Sequence, residues 1–239
     1  VRNIPALEPY FRVFAADLPG CGDSSDPPRP YDAESLATIL SDGLDLVLPD
    51  DEPFHLMAFS FGGVLSGLTA HGQARRIRSL TIVGSPILGL TGTGPANDLV
   101  EVPRDLQPKE AAPLYRGNLQ NLMVHDPSAI DDMAMEIHMA NMAKARLRSR
   151  GIARTTVLSE SLRNLPCPLN CVFGDRDATL HPDLAGVRDY VETIHPEVDF
   201  RVIPQAGHWV QFEASEAFNA IVPDLIAGLG VGSEEPGRR

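Results

Sequence analysis

Phe54-His55-Leu56-Met57-Ala58-Phe59-Ser60-Phe61-Gly62-Gly63 is the stretch on which the fold of this chain turns. An apolar run from Phe54 to Phe59 stops at a single serine, and two glycines follow at once behind Phe61. A buried strand, a sharp turn carrying Ser60 and a helix starting at Gly62 account for all three features. Such a turn lifts the hydroxyl above the sheet edge, and small residues let the helix approach the strand. The first backbone N–H groups of the helix then point at any charge developing beside the serine. A serine before two glycines also occurs in ordinary strand–helix turns, so the stretch needs partners elsewhere in the chain.

Working outward, strands and helices alternate on both sides. Phe11 to Ala16 reads as a short buried strand, ended by Asp17-Leu18-Pro19-Gly20-Cys21-Gly22-Asp23-Ser24, where two glycines and a proline demand a tight turn with positive φ. Asp32 and Ser35 can cap a helix running to about Leu48. Ser79 to Gly84 and Leu169 to Gly174 read as buried strands, Asp183 to Ile194 as a helix and Val198 to Ile203 as a strand. Ser215 to about Leu229 reads as a helix interrupted or kinked near Pro223. The rhythm predicts a mostly parallel sheet with helices on both faces.

The rhythm lapses after Pro86. Residues 87–107 carry Gly, Pro and Thr without periodicity, and helical stretches then run from about Pro108 to Leu162. The clearest starts at Ser128, and Met135, Met139 and Met142 share one of its faces, with His138 a turn from Met135. Residues 1–86 and 165–229 therefore read as the core, 87–164 as a helical cap inserted over the carboxyl ends of the strands, where open α/β sheets bind ligands. Residues 230–239 are polar and read as a disordered tail.

Bulk composition narrows the function. The 239 residues are enough for one sizeable core. A hydrophobic content of 43% is that of an ordinary soluble domain. The formal charge of −12 argues against nucleic acid or an anionic membrane surface as partner. Cys21, Cys167 and Cys171 form no disulfide framework and read as thiols of a reducing compartment, which suggests the cytoplasm. The histidines show no metal-ligand spacing, so neither metal nor cofactor is expected. Nothing here settles oligomeric state, and a homo-oligomer is left open.

A serine hydroxyl acts as a nucleophile only beside a general base, and the base needs an orienting carboxylate. Both follow later strands: Gly174-Asp175-Arg176-Asp177 after one, Gln205-Ala206-Gly207-His208-Trp209 after the last. The Ser60 stretch resembles the nucleophile elbow of the α/β-hydrolases, with Ala58 in place of its first glycine, and the order Ser60, Asp177, His208 matches that superfamily. Asp17-Leu18-Pro19-Gly20-x-Gly22-x-Ser24 is similar to the loop after its fourth strand. His208 to Glu213 is similar to the histidine segment of its capped members, including hydrolases that split carbon–carbon bonds in ring-cleavage products.

The resemblance implies a capped serine hydrolase in which Ser60 attacks a carbonyl, His208 shuttles the proton and the Phe61 N–H contributes to an oxyanion hole. The family pattern G-x-x-D selects Asp177 over Asp175 as the acid. A small ester, bound as a small-molecule substrate near Trp209, His138, Met135, Met139 and Met142, is the leading expectation. A carbon–carbon bond hydrolase is the alternative within enzymes, and a ligand receptor on the same fold the alternative outside them. Members of the family begin with strands ahead of the point where this chain starts, and a His-Gly loop there supplies a second oxyanion donor. No His-Gly precedes the elbow here, so the expectation is that upstream strands are missing, and a secretion leader on them stays open.

Overall fold

In a computed structural model, residues 1–49, 51–90, 99–103, 105–180 and 182–227 are described. The expected tail at 230–239, His181 and part of the aperiodic run after Pro86 lie outside them. In chain order the elements are α1 (Ile4–Leu7), α2 (Ala33–Val47), β1 (Phe54–Phe59), α3 (Phe61–Gly72), β2 (Ile77–Val83), α4 (Pro108–Asn118), a π-helical turn (Leu119–Met123), a 3-10 turn (Pro127–Ala129), α5 (Asp132–Lys144), α6 (Arg150–Ala153), α7 (Val157–Leu162), β3 (Leu169–Gly174), α8 (Leu184–Ile194), β4 (Asp199–Ile203), α9 (Val210–Glu213) and α10 (Ser215–Ala227). The four strands form one sheet in the order β1-β2-β3-β4, every pair parallel.

Both faces of the sheet are covered, and strand periodicity decides which residue goes where. Leu169, Cys171 and Phe173 of β3 enter a core cluster with Leu80 and Ile82 of β2, Ala70 of α3, Leu158 and Leu162 of α7 and Val187 and Val191 of α8. Val172 points the other way, with Val83, into a cluster with Leu7, Val210, Phe218, Val222 and Leu225. Asn170, also on that face, is fully buried and donates to Thr81 Oγ1 at 3.2 Å. Parallel strands buried on both faces read as near-continuous apolar runs, and that is why β2 and β3 were plain in the sequence.

Capping fixes the helix starts. Asp32 accepts from Ser35 N–H and Ser35 Oγ from Asp32 N–H, a reciprocal pair that starts α2 where the sequence placed it. The methionine-bearing helix begins later than Ser128. Asp131 accepts from Ala134 N–H at 2.8 Å and opens α5, while Ser128 lies in the separate 3-10 turn. Pro223 sits inside α10, which runs on to Ala227 without interruption. Burial of Phe218, Val222, Leu225 and Ile226 on the sheet holds it across the lost hydrogen bond.

Phe11 to Ala16 is a correction. The segment joins no strand ladder, and Arg12, Phe14, Ala15 and Ala16 are exposed. Phe11 and Val13 do turn inward onto the cluster around Phe218, so the alternation was real. A strand also needs a hydrogen-bonding neighbour, and among the described residues β1 pairs only with β2. The turn after it holds as expected, with Gly20 at φ 72° and Gly22 at φ 52°.

The helical segments between β2 and β3 divide: α7, inside the stretch 87–164 expected to form the cap, packs in the core through Leu158 and Leu162, and residues 119–137 form a cluster of their own. Leu119, Val124, Ile130 and Ala134 are buried together, with Met123, Met135 and Ile137 packed against them. Phe212 and Trp209, from the segment after β4, complete that cluster, so residues 119–137 pack on the histidine segment itself.

Close approach between β3 and the loop after β4 leaves a sharp test. A Cβ built on Gly174 would lie 2.1 Å from the Ala206 carbonyl oxygen and 2.5 Å from that of Gly207. Because both neighbours are backbone, Gly174→Ala is expected to cost about 1–3 kcal/mol or more. Urea denaturation checks it, and an unchanged midpoint would show that the loop shifts freely.

Candidate active site

Ser60 ends β1 and opens α3 at φ 51° and ψ −118°, a backbone region that a residue with a side chain rarely occupies. Such strain costs on the order of 1–3 kcal/mol and persists only where the surroundings enforce it. Here they do. The Ser60 N–H donates to the Val83 carbonyl of β2 at 3.0 Å, and the Gly63 N–H returns to the Ser60 carbonyl at 3.0 Å. A Cβ on Gly63 would fall 1.8 Å from Ser85 Oγ, whereas one on Gly62 meets nothing within 4 Å. Of the two glycines in the motif, only Gly63 is required by close packing.

The three residues drawn from the sequence meet at this turn. His208 Nε2 lies 2.8 Å from Ser60 Oγ. His208 Nδ1 lies 2.9 and 3.0 Å from the two oxygens of Asp177. Both partners are buried, His208 at 2% exposure and Asp177 at 7%, so water competes little for these bonds. With its ring held by Asp177 on Nδ1, the neutral imidazole presents Nε2 as an acceptor to the serine proton. Asp175 faces the Arg176 guanidinium at 3.8 Å instead.

Two supports had no sequence signal. Thr179 donates both its N–H (2.8 Å) and its hydroxyl (2.7 Å) to Asp177 Oδ1, and that hydroxyl is also 3.1 Å from His208 Nδ1. Gly84, at φ 53°, lies under the pair: a Cβ there would come within 3.0 Å of the His208 carbonyl and 3.3 Å of Asp177 Oδ2. Phe59 flanks the imidazole with ring centroids 5.0 Å apart.

The expected pocket residues fall in different settings. Trp209 stacks on Phe212 at 4.2 Å and packs with Met135 in the cap cluster. Met139 is half-buried, and Met142 is exposed at 47%. His138 is half-buried and meets Tyr115 edge-on at 5.6 Å. A cleft lined by Gln120, Asn121, His125, Arg176 and Gly207 flanks the acid loop and does not include Ser60.

Three other histidines bond away from the triad: His55 to Ser79 Oγ at 2.7 Å, His71 to the Ser161 carbonyl at 2.8 Å and His195 to that of Leu162 at 2.5 Å. Among the described residues no group of three or more His, Cys, Asp or Glu could hold a metal ion. Burial pushes the Cys167 thiol up to about 11 and Cys171 higher still, so both are poor nucleophiles near neutral pH. No helix among the described residues is long and apolar enough to cross a membrane.

A family model described as alpha/beta hydrolase family matches residues 3–221. The chain belongs to the α/β-hydrolase family. Within it, a 2-hydroxy-6-oxononadienedioate/2-hydroxy-6-oxononatrienedioate hydrolase of Cupriavidus pinatubonensis is 26% identical over 94% of this chain and 80% of its own length. A meta-cleavage product hydrolase from Pseudomonas fluorescens IP01 superposes with a TM-score of 0.75 at 21% identity, covering 96% of this chain and 84% of that one. A thermophilic esterase from Thermogutta terrifontis gives a TM-score of 0.64 at 19% identity over 95% and 84%.

His138 yields a pH test. Burial holds its pKa below the ordinary 6.5, and its Nε2 is buried with no hydrogen-bond partner among the described residues. The native state therefore binds this proton less readily than the unfolded chain. Its contribution is present above about pH 6.5 and is lost as pH falls through the lower folded value. His55, depressed by burial and by Arg78, acts in the same sense. The melting temperature should fall between about pH 7 and pH 5, and His138→Phe should make that fall shallower. Parallel profiles would mean that His138 titrates alike folded and unfolded.

Proposed function

We propose that this α/β-hydrolase family member cleaves a small ester, or a related small-molecule carbonyl compound, through an acyl-enzyme formed on Ser60. The observation that carries the reading is the bond from His208 Nε2 to Ser60 Oγ, with Asp177 on the other ring nitrogen. As Oγ attacks the carbonyl carbon, its proton passes to Nε2, and the buried Asp177 carboxylate offsets the imidazolium charge. The tetrahedral oxyanion is met by the Phe61 N–H, one of the first-turn donors of α3 that has no acceptor within the helix. The imidazolium then protonates the leaving alkoxide. Water, deprotonated by the same nitrogen, releases the acid and regenerates Ser60.

A second reading is a carbon–carbon bond hydrolase, favoured by the activity for which the Cupriavidus relative is named. An anionic substrate of that kind needs a cation near the pocket. The cations closing α5 are engaged elsewhere: Lys144 pairs with Asp23 at 2.6 Å and Arg146 with Asp26 at 2.6 Å, both on the loop after residue 17. That makes these two poor partners for such a carboxylate, while Arg176 of the cleft beside the acid loop stays within reach of it. On the cap side, Trp209, His138, Met135 and Met139 are the side chains we propose to shape the pocket, Met142 being the most exposed of the set.

A fluorophosphonate probe should label Ser60 and nothing else, and Ser60→Ala should abolish the label while the fold persists. Asp177→Asn should lower kcat on p-nitrophenyl esters by about 10⁴, because an amide favours the wrong tautomer, with Asp175→Asn comparatively mild. Turnover of a 2-hydroxy-6-oxo-dienoate with no turnover of any ester would replace the ester reading by the second one. Labelling without turnover of either would favour a receptor.

A further inference from the structure

The Glu213 carboxylate, at the end of α9, gathers backbone N–H groups from two separate parts of the chain. Oε2 accepts from Gly207 at 2.7 Å and from His125 at 3.1 Å, and Oε1 accepts from Asp126 at 2.6 Å. Gly207 immediately precedes His208. His125 and Asp126 lead into the cap, where Asp126 goes on to cap the 3-10 turn through Ser128 N–H. The residue after the histidine is tied to the same place, since the Trp209 N–H donates to the Met123 carbonyl at 2.6 Å.

Both neighbours of His208 in sequence are thus fastened to residues 123–126, one through backbone alone and one through Glu213. The fit is tight. A Cβ on Gly207 would lie 2.7 Å from the His125 nitrogen, 3.0 Å from the Met123 carbonyl and 3.1 Å from Glu213 Oε2. Only an ionised carboxylate presents two acceptor oxygens and no donor to three converging N–H groups, and bonds to a charged acceptor are about twice as strong as neutral ones. An amide in its place must turn an NH₂ group toward at least one of those donors.

We propose that Glu213 is a positioning residue for His208, holding the imidazole loop in register with the cap so that cap seating and histidine placement are coupled. The proposal rests on the reading of Ser60 and His208 as the reacting pair. Its effect reaches the chemistry through distance alone. Displacing a reacting group by about 1 Å can cost on the order of 10² in rate.

The test is Glu213→Gln, assayed well below its melting temperature, with rates expressed per folded molecule. The rate constant for fluorophosphonate labelling of Ser60 and kcat on p-nitrophenyl acetate should fall together, by about 10- to 100-fold, with KM little changed. A lower melting temperature with unchanged labelling and kcat would assign Glu213 a purely structural role and overturn the proposal, as would a raised KM at constant kcat. If the variant does not fold, amide hydrogen exchange on the wild type decides. Protection at Asp126 that rises when Ser60 carries the phosphonate supports the coupling, and no change there overturns it. A wild type that takes no label overturns the hydrolase reading and this one with it. A labelled wild type matched by an equally fast variant overturns only the role of Glu213.

Discussion

The strained backbone at Ser60 is the constraint that the rest of the structure serves. A serine held at positive φ between β1 and α3 is unfavourable by itself, and it stays there because the sheet grips it from one side and the helix from the other. Val83 accepts its N–H, Ser85 fills the space a side chain at position 63 would take, and the parallel register of β1 on β2 sets the height of the turn above the sheet. The result is a hydroxyl pointed out of the layer, next to helix N–H groups that carry partial positive charge. Neither strand nor helix could supply that alone.

The histidine and acid reach the hydroxyl by a different logic. Both lie in loops at the carboxyl ends of neighbouring parallel strands, β3 and β4, so one sheet edge collects all three side chains without any large excursion of chain. What keeps the loops close is small-residue packing and backbone hydrogen bonding. Gly84 makes room beneath the pair, Gly174 lets the last loop press on β3, and the Asp175 and Arg176 N–H groups donate to the Ile203 and Ala206 carbonyls at 3.1 and 3.0 Å. Thr179 then adds two donors to Asp177 Oδ1. A carboxylate so surrounded keeps one orientation, and the imidazole it holds keeps one as well.

Residues 119–137 are bonded to this platform as well as packed on it. Their apolar cluster includes Trp209 and Phe212, and residues 123–126 are bonded to the residues on either side of His208. Arg2 adds a further tie, donating to the Phe212 carbonyl at 3.0 Å and pairing with Asp131, the cap of α5, at 2.6 Å. The platform and the layer above it therefore share one mechanical joint. That joint lies next to His208.

The amino-acid sequence by itself determined the strand–turn–helix at Ser60, the parallel α/β rhythm and the order of serine, acid and histidine. Those features rest on local chemistry: apolar runs long enough for buried strands, glycines where the turns close and polar caps such as Asp32 and Asp183 at helix starts. Only the tertiary structure decided that Phe11 to Ala16 joins no ladder, because strand pairing depends on a neighbour that alternation does not reveal. It alone separated Met135, packed in the cap cluster, from the exposed Met142, since helical phase marks a face but not what covers it. It alone brought out Thr179, Gly84 and Glu213. The groups Glu213 binds are backbone amides, which every residue but proline carries, so no pattern of side chains could have announced them. Their meeting at His208 is a consequence of the fold.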